Sequence, residues 1–552
     1  MLTSRRGSSR DPLRSERSCV LARRGMVCAS VPAAAAAGVE ILRRGGNAVD
    51  AAIATAAVLC VVEPMSTGIG GDAFALVWSA RERRLLGLNG SGRAPAAASV
   101  EAYRVRGLER IAPRGILAAT VPGTVHAWET LSQRLGALPL AIVLEPAIRA
   151  AEEGFPVTEL VAHYWSLLAV TGALHNEDAR RSWLPGGVPP AVGSWFRAPD
   201  LGRTLRDVAE GGAAGFYRGR AAGAIVETSQ REGGFFTPED LAEHTSTWVD
   251  PIATTYRGTE VVELPPNGQG IAALIALNIL ETLDPSEATA GSALDWHRRI
   301  EATKLAFADR SAYVADPDRV HVPVKPLLDK HYARRRAAAL GERALPGAEP
   351  GLAAGDTVYL CTADEQGNMV SFIQSLFTGF GSGVGCGDSG VVLQSRGAGF
   401  VLDPEHPNAL AGGKRPFHTI IPGMLMRGGE PWMAFGIMGG DVQPQAHTAF
   451  VSNLIDHGCN PQEALDRPRF RYLEGNRVVV ETPDAAVDEG GTLGDALAAR
   501  GHEVVDPGAA MADVFGGGQA VAALDDGVWA GASDRRKDGC ALGLWDAPTP
   551  KA

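Results

Sequence analysis

The sequence predicts a layered α/β fold whose sheets take strands from both parts of the chain. Helical hydrophobic spacing dominates residues 100–350, whereas short β-rich runs follow residue 356. A hydrophobic share of 45% and a charged share of 21% fit a globular protein with a sizeable core. Because helix faces and sheet faces must be buried against other elements, this mixture favours stacked helical and β layers.

Helix signals are strongest in the first part of the chain. Residues 32–44 have helical spacing and end at Gly45-Gly46, a pair suited to a helix C-terminus. Asn47 is the predicted N-cap of the next helix, with Asp50 at its third position. The apolar run 51–62 predicts a buried central helix that is too short to span a membrane. Further helices are predicted over residues 128–135, 141–153, 274–283 and 293–313, and a loop over 183–199.

Strand signals dominate the second part. Residues 358–363 and 369–374 flank a Gly/Asn turn and predict a hairpin. Residues 73–79 predict a strand after a glycine cluster; this order of helix, loop and strand argues against a dinucleotide-binding loop. Further strands are predicted over residues 391–394, 418–426, 432–438, 477–481 and 519–524, and helices over 445–456 and 493–500.

Charge and cysteine usage exclude several functional classes. The formal net charge of −11 argues against a nucleic-acid partner. The seven cysteines are scattered without a CxxC pair or zinc spacing, which indicates free thiols in a reducing compartment. The arginine-rich N-terminus has no apolar core of a secretory signal, so we expect a cytoplasmic protein without a membrane partner. No metal or organic cofactor is expected.

Thr357 is the first candidate catalytic residue. A small-residue loop at 352–355 leads to Asp356 and Thr357, at the start of the predicted hairpin. If the bond between Asp356 and Thr357 is cleaved, the new α-amino group of Thr357 can act as general base for its own hydroxyl. Taken alone, an Asp-Thr pair at a strand start is more commonly simple turn chemistry.

Several motifs together resemble the γ-glutamyltranspeptidase family of N-terminal nucleophile hydrolases. They occur in family order and extend over roughly residues 25–545 of the chain. The matching stretches are residues 45–52 (GGNAVDAA), 68–71 (GIGG), 121–125 (VPGTV), 265–270 (PPNGQG), 413–416 (GKRP), 439–440 (GG) and 531–534 (GASD).

The resemblance implies a proenzyme with a four-layer αββα sandwich. After a disordered tail at residues 1–24, residues 25–356 would form an α-rich large subunit and residues 357–552 a β-rich, catalytic small subunit. Cleavage would separate Asp356 from Thr357, and the subunits would stay together. The mature protein could also form a homodimer.

The resemblance also implies the catalytic roles. Thr357 would attack a small-molecule amide and form an acyl ester, which water or an amine resolves. Gly439 and Gly440 occupy the place where the family's backbone amides stabilise the oxyanion. Ser375 stands where the family has a second threonine that hydrogen-bonds the nucleophile, and it keeps the hydroxyl.

The expected substrate site departs from the transpeptidase pattern. The family's carboxylate-binding arginine aligns with Ser91, and Arg93 lies two residues further on. Phe377 replaces an asparagine, and His418-Thr419 replaces a pair of serines. Arg396 replaces a glutamine, and the aspartate that pairs with the substrate's α-ammonium becomes Gly399. We therefore expect Arg396, with Arg93, to favour an acyl group that carries an anion but no amine. This pattern is similar to the branch with glutaryl-cephalosporin acylases and oxamate amidohydrolases.

Three hypotheses follow from the sequence. The first is a self-cleaving amidohydrolase or acyltransferase of this family that acts on a small acidic amide. The second is a true γ-glutamyltransferase or glutathione hydrolase. The third is an uncleaved, inactive scaffold that only binds a ligand. His418 either contacts substrate or merely fills the site.

Overall fold

A computed structural model describes residues 15, 17–345, 356–487, 490–506 and 514–545. The predicted loop at residues 352–355 and most of the predicted N-terminal tail lie outside these ranges. The predicted tail boundary at residue 24 needs correction, because residues 20–22 form a strand that pairs with residues 529–531. Backbone pairing therefore holds residues 20–22 in a β-sheet.

The described residues contain helices that cluster in the first two thirds of the chain. They are α1 (Pro32–Arg43), α2 (Ala48–Val62), α3 (Val100–Arg104), α4 (Thr124–Leu135), α5 (Leu140–Glu153), α6 (Glu159–Val170), α7 (Glu177–Trp183), α8 (Pro199–Gly211), α9 (Ala213–Tyr217), α10 (Arg220–Arg231), α11 (Pro238–Ala242), α12 (Gly270–Glu281), α13 (Ala293–Tyr313), α14 (Val324–Leu327), α15 (Lys330–Ala337), α16 (Val442–Ile455), α17 (Pro461–Asp466) and α18 (Leu493–Ala499).

The strands are distributed over the whole described chain. They are β1 (Val20–Ala22), β2 (Gly25–Ala29), β3 (Asp72–Ser79), β4 (Arg84–Gly90), β5 (Phe155–Pro156), β6 (Trp195–Phe196), β7 (Thr247–Val249), β8 (Ile252–Tyr256), β9 (Thr259–Glu263), β10 (Asp356–Asp364), β11 (Met369–Phe377), β12 (Gly423–Arg427), β13 (Glu430–Ile437), β14 (Phe470–Tyr472), β15 (Arg477–Val480), β16 (Glu503–Val504), β17 (Gly518–Ala523), β18 (Trp529–Ser533) and β19 (Cys540–Leu544).

Two large antiparallel sheets organise the described residues. Sheet A has the strand order β1-β18-β17-β13-β12-β9-β8, and sheet B has the order β19-β2-β10-β11-β3-β4-β7. Each sheet contains strands from before and after residue 357, as the sequence predicted. The two sheets contact each other: the Ser371 hydroxyl of β11 donates to the Phe435 carbonyl of β13 at 3.3 Å.

Three large hydrophobic clusters build the core. One lies between the sheets and includes Phe74 and Tyr359 from sheet B with Met424 and Val521 from sheet A. A second packs α1, α2, α4 and α5 against sheet B. A third packs α12, α13 and α16 against sheet A. Burial of these apolar faces is the main stabilising contribution to such a core.

Most of the long elements form where the sequence predicts them. The helix α13 has the predicted bounds, and α2 is buried along its whole length. Its N-terminus has the predicted capping box, in which the Asn47 side chain accepts from the Asp50 amide and Asp50 accepts from the Asn47 amide. Within the described chain, no helix is both long and apolar enough to cross a bilayer.

Two strand predictions are wrong. Residues 391–394 form no strand, because their backbone bonds to the loop at residues 382–384 rather than to a sheet edge. The predicted strand 418–426 begins only at Gly423. Before it, the His418 amide donates to the Asn267 carbonyl and the Ile421 amide to the Gln443 side chain. The strands that were not predicted are β1, β2, β4, β5, β6, β7, β8, β9, β14, β16, β18 and β19.

Candidate active site

Thr357 lies at the irregular start of β10. The pairing of β10 with β11 shifts register between Asp356 and Val358, so a local irregularity surrounds Thr357. Its side chain is fully buried, and the Thr357 hydroxyl donates to Ser375 Oγ at 3.2 Å. The sequence-predicted nucleophile and its predicted hydroxyl partner are therefore in direct contact.

Ser375 connects Thr357 to the end of β11. Its Oγ also accepts from the Phe377 amide at 2.7 Å. Phe377 has a φ of 82°, in the left-handed region that non-glycine residues seldom adopt. This conformation ends the strand, and the guanidinium of Arg396 lies over the Phe377 ring, 4.5 Å from its centroid.

Arg396 is a buried cation, and one side of its guanidinium has no hydrogen-bond partner among the described residues. It begins a short 3₁₀ turn, and only 1% of its surface is exposed. Its Nη1 donates to Thr419 Oγ1 at 2.7 Å, but Nε and Nη2 have no partner among the described residues. Burial lowers the pKa of Arg396 to about 9, against the opposing charges of Asp72 and Asp441. A buried donor without a partner is costly, so this edge is suited to a ligand acceptor.

His418 is locked in place by hydrogen bonds at both ring nitrogens. Its Nε2 lies 3.0 Å from Asp72 Oδ2, and its Nδ1 faces the Ile420 amide at 3.4 Å. A neutral ring that donates from Nε2 and accepts at Nδ1 satisfies both contacts. Burial holds the pKa of His418 well below its usual range, and the Arg396 charge lowers it further. This arrangement favours a role for His418 in shaping the pocket over direct contact with substrate.

Asp72 was missed as a site residue, although it directly follows the Gly70-Gly71 pair. Oδ1 accepts from the Gly92 amide at 2.9 Å, the Gly123 amide at 3.1 Å and Gln394 Nε2 at 2.9 Å. With His418 on Oδ2, four donors surround one carboxylate. Burial nevertheless raises the pKa of Asp72 to about 7, while Arg396 and the amide donors lower it.

Gly439 and Gly440 lie between β13 and the N-terminus of α16. Their φ values are 127° and 63°, and a side chain on Gly439 would meet Val442 Cγ1 at 2.6 Å. Neither amide of the pair donates to a group in the described residues. Two unpartnered amides beside a helix N-terminus can stabilise a negative charge.

The Gly-Gly pair is tied to the Arg396 pocket through Gln269. Gln269 Nε2 donates to the Thr419 carbonyl at 2.7 Å and to the Gly440 carbonyl at 3.0 Å. Arg310 Nη1 in turn donates to Gln269 Oε1 at 2.7 Å and to Asp441 Oδ1 at 2.9 Å. A chain of contacts thus joins the oxyanion candidates to Thr419 and Arg396. Sequence reasoning gave neither Gln269 nor Arg310 a site role.

Arg93 is not joined to this network by its side chain. Its guanidinium is 30% exposed, and Nη2 lies 3.9 Å from Asp318 Oδ2. The neighbouring Gly92 amide contacts Asp72, so only the backbone of this segment reaches the pocket.

One group of three candidate metal ligands occurs in the described residues, away from this network. It consists of His297, Glu301 and His502. Lys304 Nζ already pairs with Glu301 at 2.9 Å, which disfavours a divalent cation there. His297 Nδ1 and His502 Nε2 lie 2.8 Å apart, and this contact links the segments before and after Thr357.

Comparison with known proteins identifies relatives along the whole chain. Residues 34–544 match the family model described as gamma-glutamyltranspeptidase. The glutathione hydrolase-like YwrD proenzyme of Bacillus subtilis is 38% identical, over 95% of this chain and 99% of the relative. The oxamate amidohydrolase proenzyme of Klebsiella pneumoniae is 37% identical, over 94% of this chain and 98% of the relative.

A solved structure shows the same similarity in three dimensions. The cephalosporin acylase from Bacillus halodurans superposes with a TM-score of 0.90 and 44% identity, covering 99% of this chain and 100% of that chain. The resemblance found in the sequence motifs is thereby confirmed.

Proposed function

This chain belongs to the γ-glutamyltranspeptidase family, and from that premise we propose that it is a self-cleaving amidohydrolase with Thr357 as nucleophile. Members of the family are self-processing proenzymes that act as amidohydrolases or acyltransferases. The observation that carries the assignment is the buried Thr357 hydroxyl on Ser375 Oγ, at the first strand after the expected cleavage point. Cleavage before Thr357 would give fragments of residues 1–356 and 357–552.

The proposed reaction proceeds through an acyl ester on Thr357. The freed α-amine takes the hydroxyl proton while Oγ1 attacks the amide carbonyl carbon. The Gly439 and Gly440 amides stabilise the tetrahedral oxyanion. The protonated amine then gives its proton to the leaving nitrogen, and the C–N bond breaks. Water or an amine attacks the ester by the same steps, which releases the acyl group and restores Thr357.

The sheet topology explains why cleaved subunits would stay together. In sheet B, β10 of the small subunit pairs with β2 of the large subunit, and β11 pairs with β3. In sheet A, β12 pairs with β9. Separation would break these ladders and expose the core between the sheets. The core clusters on both outer sheet faces also support a four-layer αββα sandwich.

The donors of Arg396 that have no partner in the described chain favour a substrate whose acyl group ends in a carboxylate. Nε and Nη2 are the two donors on one side of a guanidinium, and this edge matches the two oxygens of a carboxylate. Both donors are buried without a partner, whereas Nη1 is occupied by Thr419. An α-ammonium would instead meet the Arg396 charge. The relative named oxamate amidohydrolase acts, by its name, on an acidic amide, which supports this class of acyl group.

Autoprocessing is tested by intact mass and N-terminal sequencing of the purified protein. We expect two fragments, the smaller beginning Thr-Val-Tyr-Leu. Thr357→Ala should remain one uncut chain, while Thr357→Ser, which keeps a hydroxyl, should still process. A single uncut wild-type chain would contradict the proposal and favour the inactive scaffold.

Substrate class is tested with three matched p-nitroanilides: glutaryl, γ-glutamyl and uncharged butyryl. The proposal predicts the highest kcat/KM for the glutaryl compound. A higher kcat/KM for the γ-glutamyl compound would instead identify a true γ-glutamyltransferase or glutathione hydrolase.

A further inference from the structure

Asp72 is a buried carboxylate beside the proposed acyl pocket, by which we mean the site formed by Phe377, Arg396, His418 and Thr419, and the proposed reaction does not use it. It opens β3, is fully buried, and contacts His418 on one side and Gln394 on the other. We propose that Asp72 is a specificity-determining residue: its carboxylate offsets the Arg396 charge through space and sets how strongly the pocket prefers an anionic acyl group. This inference rests on the proposed function.

The hydrogen bonds of Asp72 hold its carboxylate in one orientation. The Gly92 and Gly123 amides and Gln394 Nε2 donate to Oδ1, and His418 Nε2 donates to Oδ2. The side chain is fully buried behind these donors. We therefore assign Asp72 an effect through its charge and through the segments that it holds.

The charge that acts most strongly on Asp72 is that of Arg396, and the two side chains hold adjacent residues: Asp72 Oδ2 contacts His418 at 3.0 Å, and Arg396 Nη1 donates to Thr419 at 2.7 Å. The other titratable groups that act on it are His418, Tyr217 and Arg415. Burial keeps His418 neutral, with a lowered pKa, and keeps the Tyr217 phenol neutral, with a raised pKa. The Arg415 guanidinium pairs with Asp318 at 3.0 Å.

Asp441, the other carboxylate that acts on Arg396, already pairs with Arg310 at 2.9 Å. Asp72 and Arg396 are thus opposite charges that offset each other, and an acyl carboxylate bound to Arg396 adds a further negative charge near Asp72.

The protonation state of Asp72 predicts how the substrate preference changes with pH. The pKa of Asp72 is raised to about 7 by burial. Below that pH the carboxyl is neutral and the pocket is positive, which favours an anionic acyl group. Above it, ionised Asp72 opposes the substrate anion. The preference for an anionic over an uncharged acyl group should therefore weaken as pH rises through this range.

The experiment compares wild type with Asp72→Asn, using glutaryl- and butyryl-p-nitroanilide at pH 8. Asparagine keeps an oxygen for the Gly92 and Gly123 amides and removes the charge. The ratio of kcat/KM, glutaryl over butyryl, should rise about tenfold in the variant. In Asp72→Asn this ratio should no longer decrease between pH 6 and 8.5, as it does in the wild type. A merely structural Asp72 would lower both activities together, so an unchanged or smaller ratio overturns the inference.

Two controls keep the test decisive. Fragment formation and Tm show whether Asp72→Asn folds and processes. If it does not, the wild-type profile decides, and a ratio that stays constant from pH 6 to 8.5 overturns the inference. A wild type that cleaves no amide contradicts the proposed function itself. A wild type that cleaves glutaryl-p-nitroanilide, with an unaltered ratio in the variant, contradicts only the role of Asp72.

Discussion

Replacing Arg396 with methionine tests both substrate recognition and stability. Methionine fills a similar volume but has no charge and no donors. In the proposed complex, Nε and Nη2 pair with the acyl carboxylate in a site that is 1% exposed. Removing one partner of such a buried, hydrogen-bonded charge pair costs about 3 kcal/mol. Arg396→Met should therefore lower kcat/KM for glutaryl-p-nitroanilide by roughly a hundredfold.

The same substitution should change the stability of the free enzyme in a pH-dependent way. The buried Arg396 guanidinium makes one side-chain hydrogen bond, to Thr419, and one ring contact, with Phe377. These two contacts offset only part of its desolvation cost. Removing a poorly hydrogen-bonded buried charge relieves its desolvation cost, but it also leaves the buried Asp72 carboxylate without the Arg396 charge that offsets it. Because burial already raises the pKa of Asp72 to about 7, Asp72 can be neutralised by taking up a proton below that pH, so Tm should change little at pH 6 and should fall at pH 8.

Initial rates with glutaryl- and butyryl-p-nitroanilide, together with thermal unfolding, test this reasoning. Arg93→Met is the matched control, because the Arg93 guanidinium is directed at Asp318 and should matter little. Equal losses for both substrates in Arg396→Met would refute the carboxylate assignment. A large loss restricted to Arg93→Met would place the anion site at Arg93 instead.

Three further predictions concern the nucleophile, the Gly-Gly pair and acid stability. Ser375→Ala removes the acceptor of the Thr357 hydroxyl and should lower kcat about tenfold or more, whereas Ser375→Thr should restore it in the same assay. Gly439→Ala places a Cβ 2.6 Å from Val442 Cγ1, so kcat should fall by about a hundredfold; Gly428→Ala, also at positive φ but in open space, should not lower it. Burial lowers the pKa of His502 to about 3, so the unfolded chain binds the extra proton below pH 6.5. Denaturant titrations should show that the free energy of unfolding falls by about 2 kcal/mol between pH 6.5 and 5. In His502→Gln this pH-dependent loss should be absent.

The sequence was sufficient to predict the long helices and the hairpin, because their capping, spacing and turn signals are local. Asn47 with Asp50 forms the predicted capping box, and α13 keeps its predicted length because it combines helical spacing with a serine N-cap. The runs around residues 364–368 form the predicted hairpin of β10 and β11. The strand prediction at residues 391–394 failed because strand formation depends on a partner edge, which a local apolar run does not specify.

The catalytic candidates were also accessible from the sequence. The Gly439-Gly440 pair is one of the family's motifs, and the resemblance carried by these motifs implied the roles of Thr357 and Ser375. The structure then places Thr357 against Ser375. It also relates Gly440 to Thr419 and Arg396 through Gln269, a residue of the 265–270 motif whose contacts only the fold reveals.

By itself, the sequence determined the family, and it predicted the nucleophile, the cleavage point and the loss of the ammonium-binding aspartate. Only the tertiary structure decided which donors of Arg396 lack a partner among the described residues, that Arg93 faces Asp318, and that Asp72 contacts His418. The physical reason is that hydrogen-bond satisfaction and charge balance depend on groups far apart in sequence. Asp72 and His418 are separated by 346 positions, yet their side chains are 3.0 Å apart.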